Sequence, residues 1–471
     1  MAGHSSQSGC SEGGAGVSRR GFLQASAAAG SWSVALSFDA LMKQAAMAAE
    51  RRAVGPLQPT ADEVTGLELL KLPPGFRYLS FGWKGDLMSD GVPTPGAHDG
   101  MGVIHEAGGI VTLVRNHELN DDSGTFTSEG VPYDPKARGG CTNLTFDTNT
   151  GKWGKAWSSL SGTVRNCAGG VTPWGTWLSC EETVLGPGDK DEERICRFQQ
   201  DHGYIFEVPQ TRVTEPQPLK EMGRFVHEAV AIDPTTGYVY ETEDRGTAGF
   251  YRFIPKQPGQ LIQGGQLQMM KVTDWPELRK NVPLDRWLPV TWVDIEDPTR
   301  AHSPGTQDAQ GVYQQGKQQQ ATTFARLEGC WYGNKSIYVV STSGGDVKAG
   351  QIFLYDPARD SIKLIFESPG PHILYAPDNV TVSPRGGIVL CEDGDREPQR
   401  LQGLTPAGQL VQLAENNIVL KDGAHKLFKG DFRKEEWCGA TFSPDGKWLF
   451  ANLQTPGFTV AITGPWADLG L

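Results

Sequence analysis

A strand, a tight turn and a returning strand with carboxylates at its open end recur along this chain. That repeat constrains the fold more than any other feature. The fullest copy is residues 377–395, PDNVTVSPRGGIVLCEDGD. Residues 379–382 have the β-branched alternation of a strand, 383–387 (SPRGG) read as a turn, and 388–391 (IVLC) run back. Antiparallel pairing then sets Asp378 beside Glu392 and Asp393, at the end away from the turn. Four further copies lie at 167–182, 227–244, 327–340 and 437–450, with a weaker one at 108–118. Units that recur in this way predict an all-β fold, a six-bladed β-propeller with long inserts between blades. The turns near Pro173, Pro234, Asn334, Pro384 and Pro444 should then share one face. Glu118, Cys180, Glu181, Glu228, Glu243, Asp244, Glu328, Asp378, Glu392 and Asp393 should meet at the opposite mouth.

The N-terminus reads as an address rather than as fold. Arg19-Arg20 followed by Gly21-Phe22-Leu23 and a mildly apolar run resembles a twin-arginine export signal, with a cut after Ala48. Residues 1–48 are therefore expected to be a twin-arginine signal peptide, and 49–471 a single β-propeller catalytic domain. The expected location is periplasmic or extracellular, reached through the twin-arginine translocation machinery. A formal net charge of −12 has the wrong sign for a phosphate backbone and argues against a nucleic-acid surface. It suits cations instead. Seven cysteines remain after Cys10, an odd number that leaves at least one unpaired in an oxidising compartment. Cys180, which two glutamates follow, is the expected spare. The insert 255–324 reads either as an outer decoration or as a lid over the mouth, and its glutamine-rich end, 307–320, as a flexible loop.

Carboxylates gathered without matching lysines or arginines raise one another's pKa, and bound cations relieve that. Oxygen donors alone suit calcium, whereas a thiolate in the same set asks for iron or zinc. Alternation sets Arg326 on the same strand face as Glu328, where it could pair with a bound anion or form a structural salt bridge. His117 and His227 should point away from the glutamates that follow them.

The stretches Arg115-Asn116-His117-Glu118, Ser179-Cys180-Glu181-Glu182, Phe225-Val226-His227-Glu228, Glu243-Asp244-Arg245, Arg326-Leu327-Glu328-Gly329 and Ala376-Pro377-Asp378-Asn379 carry a family resemblance. In this order, behind a twin-arginine signal, they resemble the PhoX-type alkaline phosphatases. The resemblance implies a propeller mouth holding calcium and a ferric iron pair bridged by a cysteine thiolate and an oxo group. It implies Cys180 as the bridge, with Glu118, Glu181, Glu228, Glu243, Glu328, Asp378 and Asp393 as the other metal ligands. Asn116 and Arg326 would grip the phosphoryl oxygens. The implied substrates are small-molecule phosphate esters, monoesters or diesters, and a monomer is expected. Two other readings stay open: a calcium-dependent propeller hydrolase of lactonase or phosphodiesterase type, and a non-catalytic binding propeller.

Overall fold

In the computed structural model, residues 55–127, 130–191, 194–211 and 215–471 are described, and the predicted signal peptide lies outside them. All six hairpins form. His98–Ala107 pairs with Ile110–His117, Asn166–Val171 with Thr176–Glu181, and His227–Ile232 with Val239–Glu243. Leu327–Gly333 pairs with Ser336–Ser341, Pro377–Val382 with Ile388–Glu392, and Trp437–Phe442 with Trp448–Leu453. Further antiparallel strands extend each hairpin outward, so the arrangement is all-β and propeller-like.

The first strand of each hairpin faces the middle. These inner strands touch in cyclic order: His98–Ala107 meets Asn166–Val171, which meets His227–Ile232, then Leu327–Gly333, Pro377–Val382 and Trp437–Phe442, which returns to His98–Ala107. Most of their residues are buried on both faces, because each strand is flanked by two others as well as by its own hairpin partner. Small residues make that approach possible. A Cβ on Gly100 would lie 2.5 Å from the Ala168 Cα, and one on Gly329 would lie 2.5 Å from the Asp378 carbonyl oxygen. Between the sheets lie apolar clusters, anchored by fully buried Trp177, Trp437, Tyr240 and Phe250.

The sheets are not six separate units. The third and fourth hairpins belong to one nine-stranded sheet, because Leu288–Asp294 and Ser361–Glu367 join at Leu288↔Ile362 and Pro289↔Ser361. The chain's start completes two sheets. Arg77–Phe81 adds to Phe458–Thr463, while Gln58–Thr60 and Leu70–Leu72 extend the sheet of Pro377–Val382. The expected turns do share one face. Pro173, Pro234, Pro384 and Pro444 line one cavity with Trp331 and Tyr332, and Asn334 Nδ2 donates to the Gly386 carbonyl at 3.1 Å.

The glutamine-rich end of the insert is not a loop. Gly311–Gln318 is an α-helix whose Val312 and Tyr313 are buried in an apolar cluster. Gly316 lets it lie against Met269, where a Cβ would meet the sulfur at 2.2 Å. Glutamine composition hid two apolar residues that dock one helical face. All seven cysteines among the described residues are buried and free.

Candidate metal centre

Five of the six inner strands slip register at the same place. The pairing skips between His98 and Met101, Asn166 and Gly169, His227 and Val230, Leu327 and Cys330, and Pro377 and Val380. Such a bulge sets two residues against one and re-aims the strand. The first bulged residues are Asp99, Cys167, Glu228, Glu328 and Asp378. In the sixth strand the slip comes one residue late relative to the others, between Cys438 and Thr441, and Cys438 Sγ contacts the His98 carbonyl at 2.9 Å.

A second set follows from the returning strands. The residues just beyond them are Glu118, Glu182, Asp244, Thr342, Asp393 and Gln454. Each donates its backbone N–H to the residue that opens the paired inner strand: Ala97, Arg165, Val226, Arg326, Ala376 and Glu436, at 2.8–3.4 Å. Four of these acceptors, Ala97, Arg165, Arg326 and Ala376, adopt left-handed φ of 41–49°. Non-glycine residues rarely do so without compensation, and such strain concentrates at functional sites.

Three groups of donor atoms converge, each within 4.8 Å: Cys167 with Glu182 and Glu228; Glu228 with Glu328 and Asp378; Asp99 with Glu118 and Glu436. Glu228 belongs to two of them. Burial and mutual repulsion hold these acids toward their neutral forms. Burial, then Asp378, Glu182 and Asp99, push Glu228 well above the carboxylate range, and Glu182, Glu328, Asp99 and Glu436 move the same way. Burial raises Asp378 to about 8, with Asp393 adding to it, and Glu118 to about 7 against the pull of Arg165. The Cys167 thiol is also pushed up, by burial and then by Asp99 and Glu228.

Glu228 Oε2 and Asp99 Oδ1 are buried and find no hydrogen-bond partner among the described residues. An unsatisfied buried polar atom costs about 1–3 kcal/mol. Cations at these groups would give such atoms a partner and oppose the upward shifts, so the donors present fit bound metal: many carboxylate oxygens for a hard ion, and one thiol for a softer one.

Of the residues expected from sequence, Glu118, Glu228, Glu328 and Asp378 are brought into these groups. Asp393 stands in the second set, with its carboxyl bonded to Glu436. Arg326 is at the mouth. Its Nε and Nη2 hold both oxygens of Asp244 at 2.8 and 2.9 Å, and Nη2 makes a less aligned charge contact with Glu328 at 2.7 Å.

Five expected residues lie elsewhere. Cys180 is fully buried in an apolar cluster with Leu178 and Ile205. Glu181 spends its carboxylate on the N–H groups of Val164, Gly203 and Tyr204 and on His202 Nδ1, at 2.7–3.1 Å. Glu243 accepts from Gly249 N and the Tyr251 hydroxyl, both at 2.8 Å. Asn116 is buried away from the mouth, where Nδ2 holds the carbonyls of Cys167 and Ala168 at 3.0 and 2.8 Å. Its Oδ1 accepts from Trp177, Ser179 and Cys141. It clasps the strand that carries Cys167. Glu392 likewise pairs with Arg400.

Asp99, Cys167, Glu182 and Glu436 were missed. Aligning the hairpins residue for residue exposes three of them: Glu182 matches Glu118 and Asp393, while Asp99 and Cys167 match Glu228, Glu328 and Asp378.

Comparison with known proteins bears on what this centre is. The solved structure of Pseudomonas fluorescens PhoX, in complex with the transition-state analogue vanadate, superposes with a TM-score of 0.59 at 17% identity. The match covers 87% of this chain and 97% of that one. A gluconolactonase from Xanthomonas campestris reaches a TM-score of 0.41 at 12% identity, over 88% of this chain and 99% of that one. No curated protein sequence matches. The sequence model of alkaline phosphatase PhoX matches residues 53–156 and 154–457, a span that takes in every donor described above. The chain belongs to the PhoX family of alkaline phosphatases.

Proposed function

We propose that this protein is an exported, metal-dependent phosphatase that hydrolyses small-molecule phosphate esters at the inner-strand centre. The convergence of acids and one thiol from five inner strands, with buried oxygens left unsatisfied, carries this reading. The cyclic contact of six inner strands supports a six-bladed propeller, with the third and fourth blades fused along their outer edges.

Calcium and iron are the metals the donors suit. Cys167, Glu182 and Glu228 would hold the iron, since they include the thiol, and the all-oxygen groups would hold calcium. Cys167 thereby takes the role the sequence suggested for Cys180. When bound, these ions supply positive charge against the phosphoryl oxygens. The chain's own part is orientation. Asp244 clamps Arg326 through Nε and Nη2, which leaves Nη1 for a phosphoryl oxygen. Burial keeps bulk water from the carboxylates, and Asn116 fixes the strand of Cys167 from behind.

Arg19 and Arg20 support export by the twin-arginine route to the periplasm or beyond, and the protein is expected to act as a monomer. No helix among the described residues is long and apolar enough to cross a membrane. Elemental analysis of purified protein, paired with p-nitrophenyl phosphate hydrolysis before and after chelation, tests the reading. Iron and calcium should be present, and activity should vanish with them. Metal-free protein that still turns over the ester would overturn it. Bis-p-nitrophenyl phosphate in the same assay decides whether diesters are substrates as well.

A further inference from the structure

Beside Glu182 and Asp244 opens a cavity of about 680 Å³, large enough for a phosphorylated sugar. One wall is the segment 184–191, and the other is the part of the long insert that carries His302 and Ala309. Three cations line it: Arg165, Lys190 and Arg245.

Of the four acids on the same walls, two are paired with arginines, one accepts a backbone N–H and one belongs to the donor groups. Asp244 is clamped by Arg326, Asp191 pairs with Arg194 at 2.9 Å, Asp189 accepts the Gly186 N–H at 2.8 Å, and Glu182 belongs to the metal centre. The cations are not so engaged. Among the described residues, Arg165 and Lys190 make no ion pair and no side-chain hydrogen bond. Arg245 gives one hydrogen bond, to the neutral carbonyl of Asp308 at 2.9 Å.

Arg165 is also the counterpart of Arg326. Both open an inner strand two residues before its donor, with φ of 49° and 41°, and both accept the N–H of the matching residue on the returning strand at 2.9 Å. The difference lies in what surrounds them. Arg326 faces Asp244 and Glu328, so most of its charge is answered within the protein. Arg165 stands between the metal centre and the cavity, where its charge pulls on Glu118 and Glu182 but its guanidinium makes no ion pair or hydrogen bond among the described residues. Three cations without an ion pair among the described residues, gathered on one cavity in a chain of net charge −12, offer donors to an anion.

We propose that this cavity is the leaving-group subsite, and that Arg165, Lys190 and Arg245 select phosphate esters whose departing group carries a second phosphoryl group. The inference rests on the phosphatase reading above. The ester phosphate sits at the inner-strand centre, and the second phosphate lies in the cavity among the three cations. The insert closes the far side, which gives it a role in substrate choice.

The test compares fructose 1,6-bisphosphate with fructose 6-phosphate on the metal-loaded enzyme. The bisphosphate should show a kcat/KM roughly tenfold higher or more, since charge-assisted contacts of this kind are strong. Arg165→Gln and Lys190→Glu should each shrink that ratio toward one, and Arg165→Lys should restore part of it. Lys190 is exposed, so its replacement leaves the fold intact. Calorimetric titration with methylenediphosphonate and methylphosphonate gives a readout free of turnover. The diphosphonate should bind more tightly in the wild type, and the gap should close in both variants. Equal efficiency toward the two sugars in the wild type, or a ratio untouched by the variants, overturns the subsite. Wild type that cleaves neither sugar ester nor p-nitrophenyl phosphate sinks the phosphatase reading instead, and the diphosphonate gap then decides the anion site alone.

Discussion

Glu181 and Glu182 are chain neighbours with opposite tasks, because adjacent strand residues face opposite sides. Glu182 joins the candidate metal donors, while Glu181 turns inward and holds His202, which also lies 3.4 Å from Asp134. Burial alone would lower the His202 pKa, but the Glu181 and Asp134 carboxylates overrule it and raise it to about 9. A histidine whose folded pKa is raised contributes stability that is complete below its unfolded value, near 6.5, and is lost as pH climbs through 9. The contribution is on the order of 3 kcal/mol. Urea unfolding at pH 6.5 and 9.5 should therefore show a loss in the wild type that is much smaller in His202→Asn. The two cysteines divide in the same way. Cys167→Ser should strip metal from the purified protein, since a hydroxyl is a poor replacement for a thiolate ligand. Cys180→Ser should retain metal yet lose about 1–3 kcal/mol of stability, because it buries a hydroxyl among apolar neighbours. Elemental analysis and chemical denaturation separate the two. Equal metal in both variants would remove Cys167 from the centre.

The hairpin is the element on which the site depends, and its bulge is what sequence alternation could not register. Strand, turn and return were legible at 377–395 because β-branched runs and Ser-Pro and Gly-Gly turns mark them locally. The acids nearest each open end were legible too, and the structure gathers Glu118, Glu228, Glu328 and Asp378 into the candidate groups. A count of odd and even positions assumes an unbroken ladder, however, and the slip after His98, Asn166 and His227 breaks it. Cys180 was favoured because two glutamates follow it, and Glu243 because the family resemblance implied it, and neither signal registers the slip. Bulges also demand small residues where strands cross closely. Gly329 packs on the next inner strand, and a Cβ there would fall 2.5 Å from the Asp378 carbonyl oxygen and 2.7 Å from the Val380 nitrogen. Both atoms are backbone and flank a donor, so relief requires moving the donor strand. Gly329→Ala should cost about 1–3 kcal/mol and weaken metal retention together. Gly246→Ala, where a Cβ meets nothing within 4 Å, should do neither. Melting temperatures with parallel metal analysis check the pair.

At the scale of the molecule, closure joins the two ends of the chain. The pairing of Arg77–Phe81 depends on residues more than three hundred positions away and leaves no local mark in the sequence. Arg77–Phe81 makes five cross-strand pairs with Phe458–Thr463, from Arg77↔Thr463 to Phe81↔Thr459. Phe81 stacks on Trp153 at 4.9 Å, which ties the last sheet to the first. Tyr78 is fully buried, and its hydroxyl accepts the Leu69 N–H at 3.0 Å. Leu69, Leu70, Leu72 and Phe76 fill the cluster shared by the fifth and sixth sheets. Each large apolar side chain contributes roughly 1.5–3 kcal/mol on burial. Five of them together rival the roughly 5–15 kcal/mol by which a whole domain is stable. Their removal would also bare Phe458–Thr463 as an open edge, ready to pair with another chain. A chain starting at residue 83 should therefore aggregate or fail to fold. One starting at residue 49 should elute as a monomer and melt in a single transition. Size-exclusion chromatography and thermal unfolding of the two truncations decide it. A chain from residue 83 that stays monomeric and melts like the longer one would show that the ring closes without its first strands.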